Sequence, residues 1–391
     1  MACDAQVPKK AAALALLAAA GVALTCIPTA AKGPTYRQPA GAATGVRAVT
    51  DPGTPQLPGG LSALSWMVAD AETGAVLAAK DPHRKLAPAS TLKTLFAVTV
   101  LPKFRSSTVR QVSSADLAGV GAGSSVVGIQ QGRRYTVADL WRGVFLRSGN
   151  DAVHVLAAMN GGWQATAREM QQTARKLGAH DTSVKSPDGY DAPGQVSSAY
   201  DLTVFARAGL ANDDFARYCG TARATFPGTG GTIPIENTNR LLSGSHGVAR
   251  YPGIIGVKNG YTSKAGNTLI AAARRNGRTL LVTVLNPQAQ VANGVYKEAG
   301  SLLDWGFRTE DSSHPVGTLH AVRAASHGTA PLHPVPARAT GPEGRDASPA
   351  SFALVLGAGV AGLATTGPGA LLARWRRRPV PGGGRQGGGA G

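Results

Sequence analysis

The alternation of apolar and polar residues predicts two β-hairpins, one near each end of the central region. Apolar segments at residues 65–69 and 75–79 flank a short polar segment that ends in Gly74, a composition typical of hairpins. Residues 268–273 and 279–285 flank a second polar segment containing Asn-Gly, a dipeptide that favours tight turns. The two pairs predict an antiparallel sheet built from both ends of one domain.

The residues between the two hairpins carry the apolar spacing of helices. Five segments follow this pattern, at residues 90–101, 137–146, 151–159, 163–177 and 199–208. Thr136 precedes one of them and Asp139 follows three residues later, which approximates a capping box. Strands at both ends with helices between them predict an α+β fold, in which a helical cluster packs on an antiparallel sheet.

The two ends of the chain predict an exported protein with a membrane anchor. Lys9 and Lys10 precede an apolar run and small residues, the pattern of a signal peptide. Residues 352–372 are apolar and uncharged, and arginines follow, so we expect a transmembrane helix whose C-terminal side is cytoplasmic. The folded region is therefore expected to be a single extracytoplasmic domain with a C-terminal membrane helix.

This topology divides the chain into predicted segments with different roles. They are a signal peptide (1–31), a flexible linker (32–60), the folded domain (61–310), a Pro- and Ala-rich linker (311–350), the transmembrane helix (352–372) and a basic, Gly-rich cytoplasmic tail (373–391).

Net charge limits the classes of molecule that the external domain is expected to bind, and cysteine content limits its possible disulfides. The formal net charge is +18, but the basic residues are scattered and no nucleic-acid recognition module is visible. Export also separates the domain from nucleic acid. The remaining anionic partners are wall polymers and lipid headgroups; alternatively, the charge only makes the surface basic and soluble. Removal of the signal would leave Cys219 as the only cysteine, so we expect no intramolecular disulfide and interpret Cys219 as structural.

Ser90 and Lys93 open the first predicted helix and share one helix face. A neutral lysine there can remove the serine proton, and the helix N-terminus stabilises the negative charge that develops beside it. The pair is therefore a candidate nucleophile and base. A helix cap beside a solvated lysine would give the same spacing, so the pair alone does not define a function.

Two further motifs follow in the chain. Ser148-Gly149-Asn150 lies between two predicted helices, where a loop can point its serine and asparagine into a cleft, or simply form a turn. Lys258-Asn259-Gly260 ends an apolar strand, where a lysine can meet an anionic group and a glycine lets a peptide backbone lie close. Lys264-Ala265-Gly266 is a rival match without a preceding apolar strand.

The three motifs together match, in order, the signature of enzymes that transfer acyl groups through a serine nucleophile. The segments 86–94, 146–152, 186–190 and 260–262 also contribute to the likeness. Residues from about 61 to 307 therefore resemble the D-alanyl-D-alanine carboxypeptidases, a group of low-molecular-mass penicillin-binding proteins. The resemblance implies a β-lactamase/transpeptidase-like fold, removal of the terminal D-alanine from peptidoglycan stem peptides, and acylation by β-lactam antibiotics, without a metal or organic cofactor.

The resemblance also implies roles for single residues. The catalytic roles carry over to Ser90, Lys93, Ser148 and Asn150. The substrate-binding roles carry over to Lys258, Asn259, Gly260 and Tyr261. Ser90 would be acylated, Lys93 would accept its proton, and Lys258 would hold the terminal carboxylate. The backbone N–H groups of Ser90 and Tyr261 would form the oxyanion hole.

Asn259 departs from the family pattern, which usually has threonine or serine at this position, so altered affinity for substrate and β-lactams is expected.

Three alternative functions share these residues. A class A β-lactamase shares the motifs but needs a later carboxylate to activate water, and the only glutamate between Asn150 and Ile235 is Glu169, inside a predicted helix. An endopeptidase acting on cross-links would use the same residues. A wall-binding protein without turnover would also keep the cleft.

Overall fold

The computed structural model describes residues 45–309 and 314–319. Its strands are β1 (Val46–Ala48), β2 (Ala63–Asp70), β3 (Ala75–Lys80), β4 (Val109–Gln111), β5 (Arg134–Thr136), β6 (Arg223–Gly228), β7 (Gly231–Glu236), β8 (Ile254–Thr262), β9 (Gly266–Arg275), β10 (Arg278–Pro287) and β11 (Gly317–Thr318). Its α-helices are α1 (Lys93–Val100), α2 (Val137–Leu146), α3 (Asn150–Met159), α4 (Trp163–Lys176), α5 (Ala199–Leu210), α6 (Asp213–Cys219), α7 (Arg240–Ser243) and α8 (Gly294–Arg308).

The main sheet is antiparallel and has seven strands. Its order is β1-β3-β2-β10-β9-β8, and β11 also pairs with β3. β4 pairs with β5, and β6 pairs with β7, as two separate ribbons. β8 is thus an edge strand, the position at which an extended peptide can add to a sheet.

Both faces of the main sheet are covered, which explains why its strands are almost continuously apolar. In β10, Leu281 and Leu285 belong to the core beneath the helical cluster. Leu280 and Val282 belong to a second core, which also contains the apolar face of α8. The alternation follows from strand geometry, because successive side chains point to opposite faces.

Helix α1 runs through the first core and is buried along most of its length. Leu95, Phe96 and Ala97 are fully buried, as expected for a helix that is apolar on all sides. A 3₁₀ turn, Ala89–Leu92, leads into α1 and lies against β8. This packing brings the start of α1 beside the edge strand.

The predicted hairpins and helices are present, and so is the predicted α+β architecture of helices on an antiparallel sheet. The predicted helices correspond to α1 to α5, with small differences at their ends. The capping box at α2 is complete: Thr136 Oγ1 accepts a hydrogen bond from the Asp139 N–H, and the Asp139 carboxylate accepts one from the Thr136 N–H, each at 3.1 Å.

The predicted domain boundaries are too narrow. β1 lies in the segment predicted as a linker (32–60), and it pairs with β3. β11 lies beyond residue 310, where a second linker was predicted, and it also pairs with β3. The segments that contain these two strands are rich in Pro, Gly and Ala, so no strand was predicted there. Both strands are short, and a short edge strand needs few apolar residues of its own.

The predicted signal peptide, transmembrane helix and cytoplasmic tail lie outside the described residues. Within residues 45–309 and 314–319, no helix has the length and apolar character needed to cross a bilayer.

Candidate active site

Ser90 and Lys93 are in direct contact where the 3₁₀ turn becomes α1. Lys93 Nζ lies 2.7 Å from Ser90 Oγ and also donates to the backbone oxygen of Asp188 at 2.7 Å. Ala89, directly before Ser90, has φ +48°, a left-handed conformation that is unfavourable for alanine and is held here by its neighbours. Gly189 is one of them, since a Cβ there would lie 2.1 Å from the Ala89 oxygen.

Burial prepares Lys93 to act as a base. The side chain is only 1% exposed. Loss of hydration lowers the pKa of Lys93 to about 8, although the carboxylates of Asp188 and Asp151 oppose the shift. At pH 7 roughly one Lys93 in ten is therefore neutral and able to accept the proton of Ser90.

Asp188 shapes the loop that meets Lys93. Its Oδ1 accepts hydrogen bonds from Ser186 Oγ at 2.7 Å and from the Tyr190 N–H at 3.0 Å. Sequence reasoning recognised this segment only as part of the family likeness and gave Asp188 no role. The Ser-x-Asp-Gly pattern, which is typical of a side-chain-stabilised turn, was the available signal.

Asp151 holds the opposite wall of the cleft and was also missed. Its carboxylate accepts hydrogen bonds from the backbone N–H groups of Val127, Gly128 and Ile129, at 2.8 to 3.0 Å. These bonds tie the loop before β5 to the start of α3, next to Asn150. A buried carboxylate with several N–H donors is a strong tie.

Ser148 and Asn150 are buried at the same wall, and both retain hydrogen-bonding capacity. Ser148 has φ +56°, and its Oγ is buried without a hydrogen-bond partner among the described residues. Asn150 donates from Nδ2 to Ser124 Oγ at 3.0 Å, and its Oδ1 is likewise buried and unpartnered there. Such atoms are rare in folded proteins, and in a cleft they are suited to a ligand. Lys93 bonds Ser90 and Asp188 rather than Asn150.

Lys258 lies on edge strand β8 and is almost fully buried. Its Nζ donates to the Asn259 backbone oxygen at 2.8 Å. Burial, and then the nearby charge of Lys93, hold the pKa of Lys258 well below its usual value. A buried lysine in this state gains strongly from an anionic partner.

Asn259 is oriented by a residue that sequence reasoning missed. Thr238 Oγ1 donates to Asn259 Oδ1 at 2.9 Å, and the Asn259 side chain also hydrogen-bonds Tyr296. The amide nitrogen carries two N–H groups, so one of them is left to donate to a ligand. The backbone oxygen of Thr238 accepts a hydrogen bond from Tyr296 Oη at 3.2 Å, which fixes the loop. Thr238 lies 21 positions before Asn259, and nothing in the sequence indicates their contact.

Two cavities flank the end of β8. The larger, here the arginine cavity, measures about 550 Å³, and its lining includes Arg147, Arg240, His246, Asn259 and Tyr261. The smaller, here the serine cavity, measures about 190 Å³, and its lining includes Ser90, Asn150, Asp191, Tyr261 and Thr262. Tyr261 is 67% exposed and contributes to both cavities. An extended peptide along β8 would therefore pass from one cavity into the other.

Among the described residues, the remaining candidates form no hydrogen bond with Ser90 or Lys93. Lys264 is exposed in the turn after β8, so the rival motif does not supply a buried lysine. Glu169 of α4 forms an ion pair with Lys103. Cys219 is fully buried, as its structural interpretation predicts. His154 stacks on Trp163 with ring centroids 4.0 Å apart.

The other histidines that the sequence analysis considered contact neighbouring side chains or lie at the surface. His83 contacts the Asp181 carboxylate at 2.8 Å, and His180 and His246 are exposed. Within the described residues, no group of three or more His, Cys, Asp or Glu side chains is arranged to hold a metal ion.

The fold and the buried serine–lysine pair define a serine peptidase of the penicillin-binding class. The chain belongs to the D-alanyl-D-alanine carboxypeptidase family, whose model matches residues 51–289. This match begins at residue 51, inside the segment predicted as a linker and after the end of β1.

Three similar proteins illustrate the relationship. The D-alanyl-D-alanine carboxypeptidase DacB2 of Mycobacterium tuberculosis is 38% identical over 260 residues, which cover 66% of this chain and 86% of the relative. A crystal structure of a D-alanyl-D-alanine carboxypeptidase from the same organism has a TM-score of 0.63 and 38% identity, covering 69% of this chain and all of that one. The Streptomyces K15 DD-transpeptidase has a TM-score of 0.59 and 28% identity, covering 65% and 99%. The family match supports a carboxypeptidase over a β-lactamase or a binding protein.

Proposed function

We propose that this protein removes the terminal D-alanine from peptidoglycan stem peptides through an acyl-enzyme on Ser90. The observation that carries the proposal is the 2.7 Å contact between Ser90 Oγ and the buried Nζ of Lys93, whose pKa is lowered to about 8. Nucleophile and base are thus already in hydrogen-bond contact at a pH where the base is partly neutral.

In the proposed acylation, neutral Lys93 accepts the hydroxyl proton of Ser90 while Oγ attacks the carbonyl carbon of the penultimate D-alanine. The backbone N–H groups of Ser90 and Tyr261 donate to the resulting oxyanion, which stabilises it by about 3 kcal/mol per donor. The bond to the terminal D-alanine then breaks, and Lys93 gives its proton to the leaving amine. This returns Lys93 to the neutral state.

In the proposed deacylation, Lys93 takes a proton from a water molecule as the water oxygen attacks the ester carbon. The ester bond breaks, and the proton passes from Lys93 to Ser90 Oγ. The side chains of Ser148 and Asn150 are assigned to this cleft because each keeps a buried polar atom without a protein partner among the described residues. The same serine would be acylated by penicillin.

The terminal carboxylate of the peptide is proposed to bind Lys258 and the amide nitrogen of Asn259. Arg147 and Arg240 line the adjoining arginine cavity and add positive potential on that side. Gly260 lets β8 pack directly against the turn that carries Ser90, since a Cβ at this position would lie 2.6 Å from the Ser90 nitrogen. Asn259 would replace the hydroxyl donor usual in the family with an amide donor.

The test is acylation and turnover by the purified full-length chain and Ser90→Ala. Fluorescent penicillin should label the unchanged protein, and diacetyl-Lys-D-Ala-D-Ala should release D-alanine; both should vanish in Ser90→Ala. Ser301→Ala, at an exposed position of α8, is the matched control and should retain both. Labelling without D-alanine release would favour a binding protein or an enzyme acting on cross-links. Absence of labelling would rule out Ser90.

The proposed location is the outer side of the cytoplasmic membrane. Residues 1–31 would direct export, residues 352–372 would anchor the chain, and residues 373–391 would remain in the cytoplasm. A chain ending at residue 350 should be released into the medium, whereas the full chain should sediment with membranes. Equal sedimentation of both would contradict the anchor.

A further inference from the structure

The two cavities beside β8 differ in charge. The arginine cavity is lined by Arg147 and Arg240, and Glu236 is the only carboxylate that the described residues contribute to it. Among the described residues, the lining of the serine cavity contains no lysine, arginine or histidine, and Asp191 is the only carboxylate there. A ligand that lies across both cavities therefore meets positive potential at one end and a single negative charge at the other.

Asp191 is fixed in place by the end of β8. Its Oδ1 accepts a hydrogen bond from Thr262 Oγ1 at 2.8 Å, and its Oδ2 accepts one from the Lys264 N–H at 3.3 Å. Thr262 Oγ1 itself accepts a hydrogen bond from the Ala265 N–H at 3.0 Å. The carboxylate thus has a defined position at the cavity wall rather than a freely moving side chain.

The carboxylate of Asp191 also keeps capacity for a further ligand. A carboxylate offers about four acceptor sites, and the two hydrogen bonds above occupy two of them. Among the described residues, Asp191 forms no ion pair within 4 Å, and its side chain is only partly buried. A cation that entered the serine cavity would therefore find an unneutralised carboxylate.

The direction of the substrate decides which group would reach Asp191. In the proposed function the terminal carboxylate lies toward Lys258 and the arginine cavity, so the residue that precedes D-Ala-D-Ala lies beyond Ser90, on the side of the serine cavity. In peptidoglycan stems this third residue is a diamino acid. Its distal amine is a cation when it is free, and it becomes a neutral amide when the stem is cross-linked through it.

We infer that Asp191 is a specificity-determining residue that binds the free, protonated distal amine of the third stem residue. This inference rests on the proposed function, because that function sets the direction of the peptide. It implies that the enzyme prefers stems whose distal amine has not been used in a cross-link.

The test compares two peptides that differ only in this charge. Nα-acetyl-Lys-D-Ala-D-Ala keeps the ε-amine, and the diacetyl peptide lacks it. The full-length protein should show a kcat/KM roughly three- to tenfold higher for the free amine, as a partly exposed ion pair allows, and high salt should reduce this ratio. In Asp191→Asn, which keeps the side-chain shape, the ratio should fall to about one. Asp213→Asn, at an exposed position of α6, should retain the original ratio.

The outcomes separate this inference from the proposed function. D-alanine release from both peptides with equal kcat/KM in the unchanged protein would overturn the role of Asp191 and leave the carboxypeptidase intact. An Asp191→Asn protein that loses activity equally on both peptides, with the ratio unchanged, would also overturn it. If neither peptide were turned over, the proposed function would fail; competition of the two peptides against fluorescent penicillin would then still decide the inference, since equal competition would refute it.

Discussion

Gly260 of β8 and Ser90, in the 3₁₀ turn that leads into α1, are so close that a single methyl group cannot fit between them. A Cβ on residue 260 would lie 2.6 Å from the backbone nitrogen of Ser90. The edge strand and the nucleophile turn therefore meet at this glycine. The contact fixes the distance between the peptide-binding strand and the reacting oxygen.

Gly260→Ala should reduce the second-order rate of fluorescent penicillin labelling by about 100-fold, because displacing Ser90 removes one oxyanion donor. The loss of unfolding free energy should stay within about 1–3 kcal/mol, the usual range for overpacking. Gly300→Ala is the control, since a Cβ there meets Tyr251 only at 3.8 Å. Labelling of Gly260→Ala at the original rate would contradict the proposed oxyanion site.

The acylation rate should rise with pH and level off above about pH 8, because only neutral Lys93 accepts the serine proton. Desolvation lowers the pKa of Lys93 to about 8, so the neutral fraction should increase roughly tenfold per pH unit below that value. The limiting rate at saturating penicillin is the quantity to measure, since it excludes effects on carboxylate binding.

Two variants complete this pH experiment. Lys93→Arg should show no acylation at any pH up to about 10, because a guanidinium stays protonated. Lys297→Arg, at an exposed position of α8, should match the unchanged protein. A limiting rate that stays flat between about pH 5.5 and 9.5 would assign the base to another group.

Lys258 should take up a proton when a ligand carboxylate binds beside it. Burial and the charge of Lys93 lower the pKa of Lys258, and a bound carboxylate would raise it again. Calorimetric titration of Ser90→Ala with penicillin, in buffers of different ionisation enthalpy, should therefore show net proton uptake on binding. The further change Lys258→Gln should abolish this uptake and weaken binding by about tenfold or more.

Lys264→Gln, added to Ser90→Ala, provides the comparison for that titration. Lys264 is exposed and belongs to the rival motif, so its loss should leave the proton uptake unchanged. If Lys264→Gln abolished the uptake and Lys258→Gln did not, the carboxylate site would have to be moved to the turn after β8.

Asn259→Asp should raise KM for diacetyl-Lys-D-Ala-D-Ala by about tenfold or more. The change keeps the shape and the acceptor for Thr238, but it replaces the amide donor with a negative charge facing the substrate carboxylate. Asn267→Asp is the control, because Asn267 is exposed and lines the same arginine cavity. Equal effects of the two variants would mean that Asn259 makes no direct contact with the substrate.

The sequence predicted those parts of the fold that depend on local patterns. The hairpins between β2 and β3 and between β9 and β10, and the capping box at Thr136, follow from apolar period and turn chemistry over a few residues. β1 and β11 were missed because their stability comes from pairing with β3, which is remote in the chain. Local composition cannot reveal such a partner.

The residues of the candidate site also fall into those that local sequence patterns predict and those that depend on contacts between remote segments. Ser90, Lys93 and Lys258 lie in motifs with a recognisable spacing. Folding then brings the two lysines close enough for their charges to interact. Thr238, Asp188 and Asp151 act through contacts between loops, and their neighbours in the chain give no sign of those contacts. The charge difference between the two cavities is likewise visible only after the chain has folded.

Cys219 gives this fold a built-in reporter of local opening. Its sulfur is fully buried beneath β8, so close that a Cβ on Gly256 would lie 2.7 Å from it, and Gly256 is only two residues before Lys258. Burial raises the pKa of the thiol, so a maleimide can react only when this end of β8 separates from α6. With Cys3 and Cys26 changed to serine, the labelling rate would measure how often the substrate strand detaches, and how far an acyl group on Ser90 holds it in place.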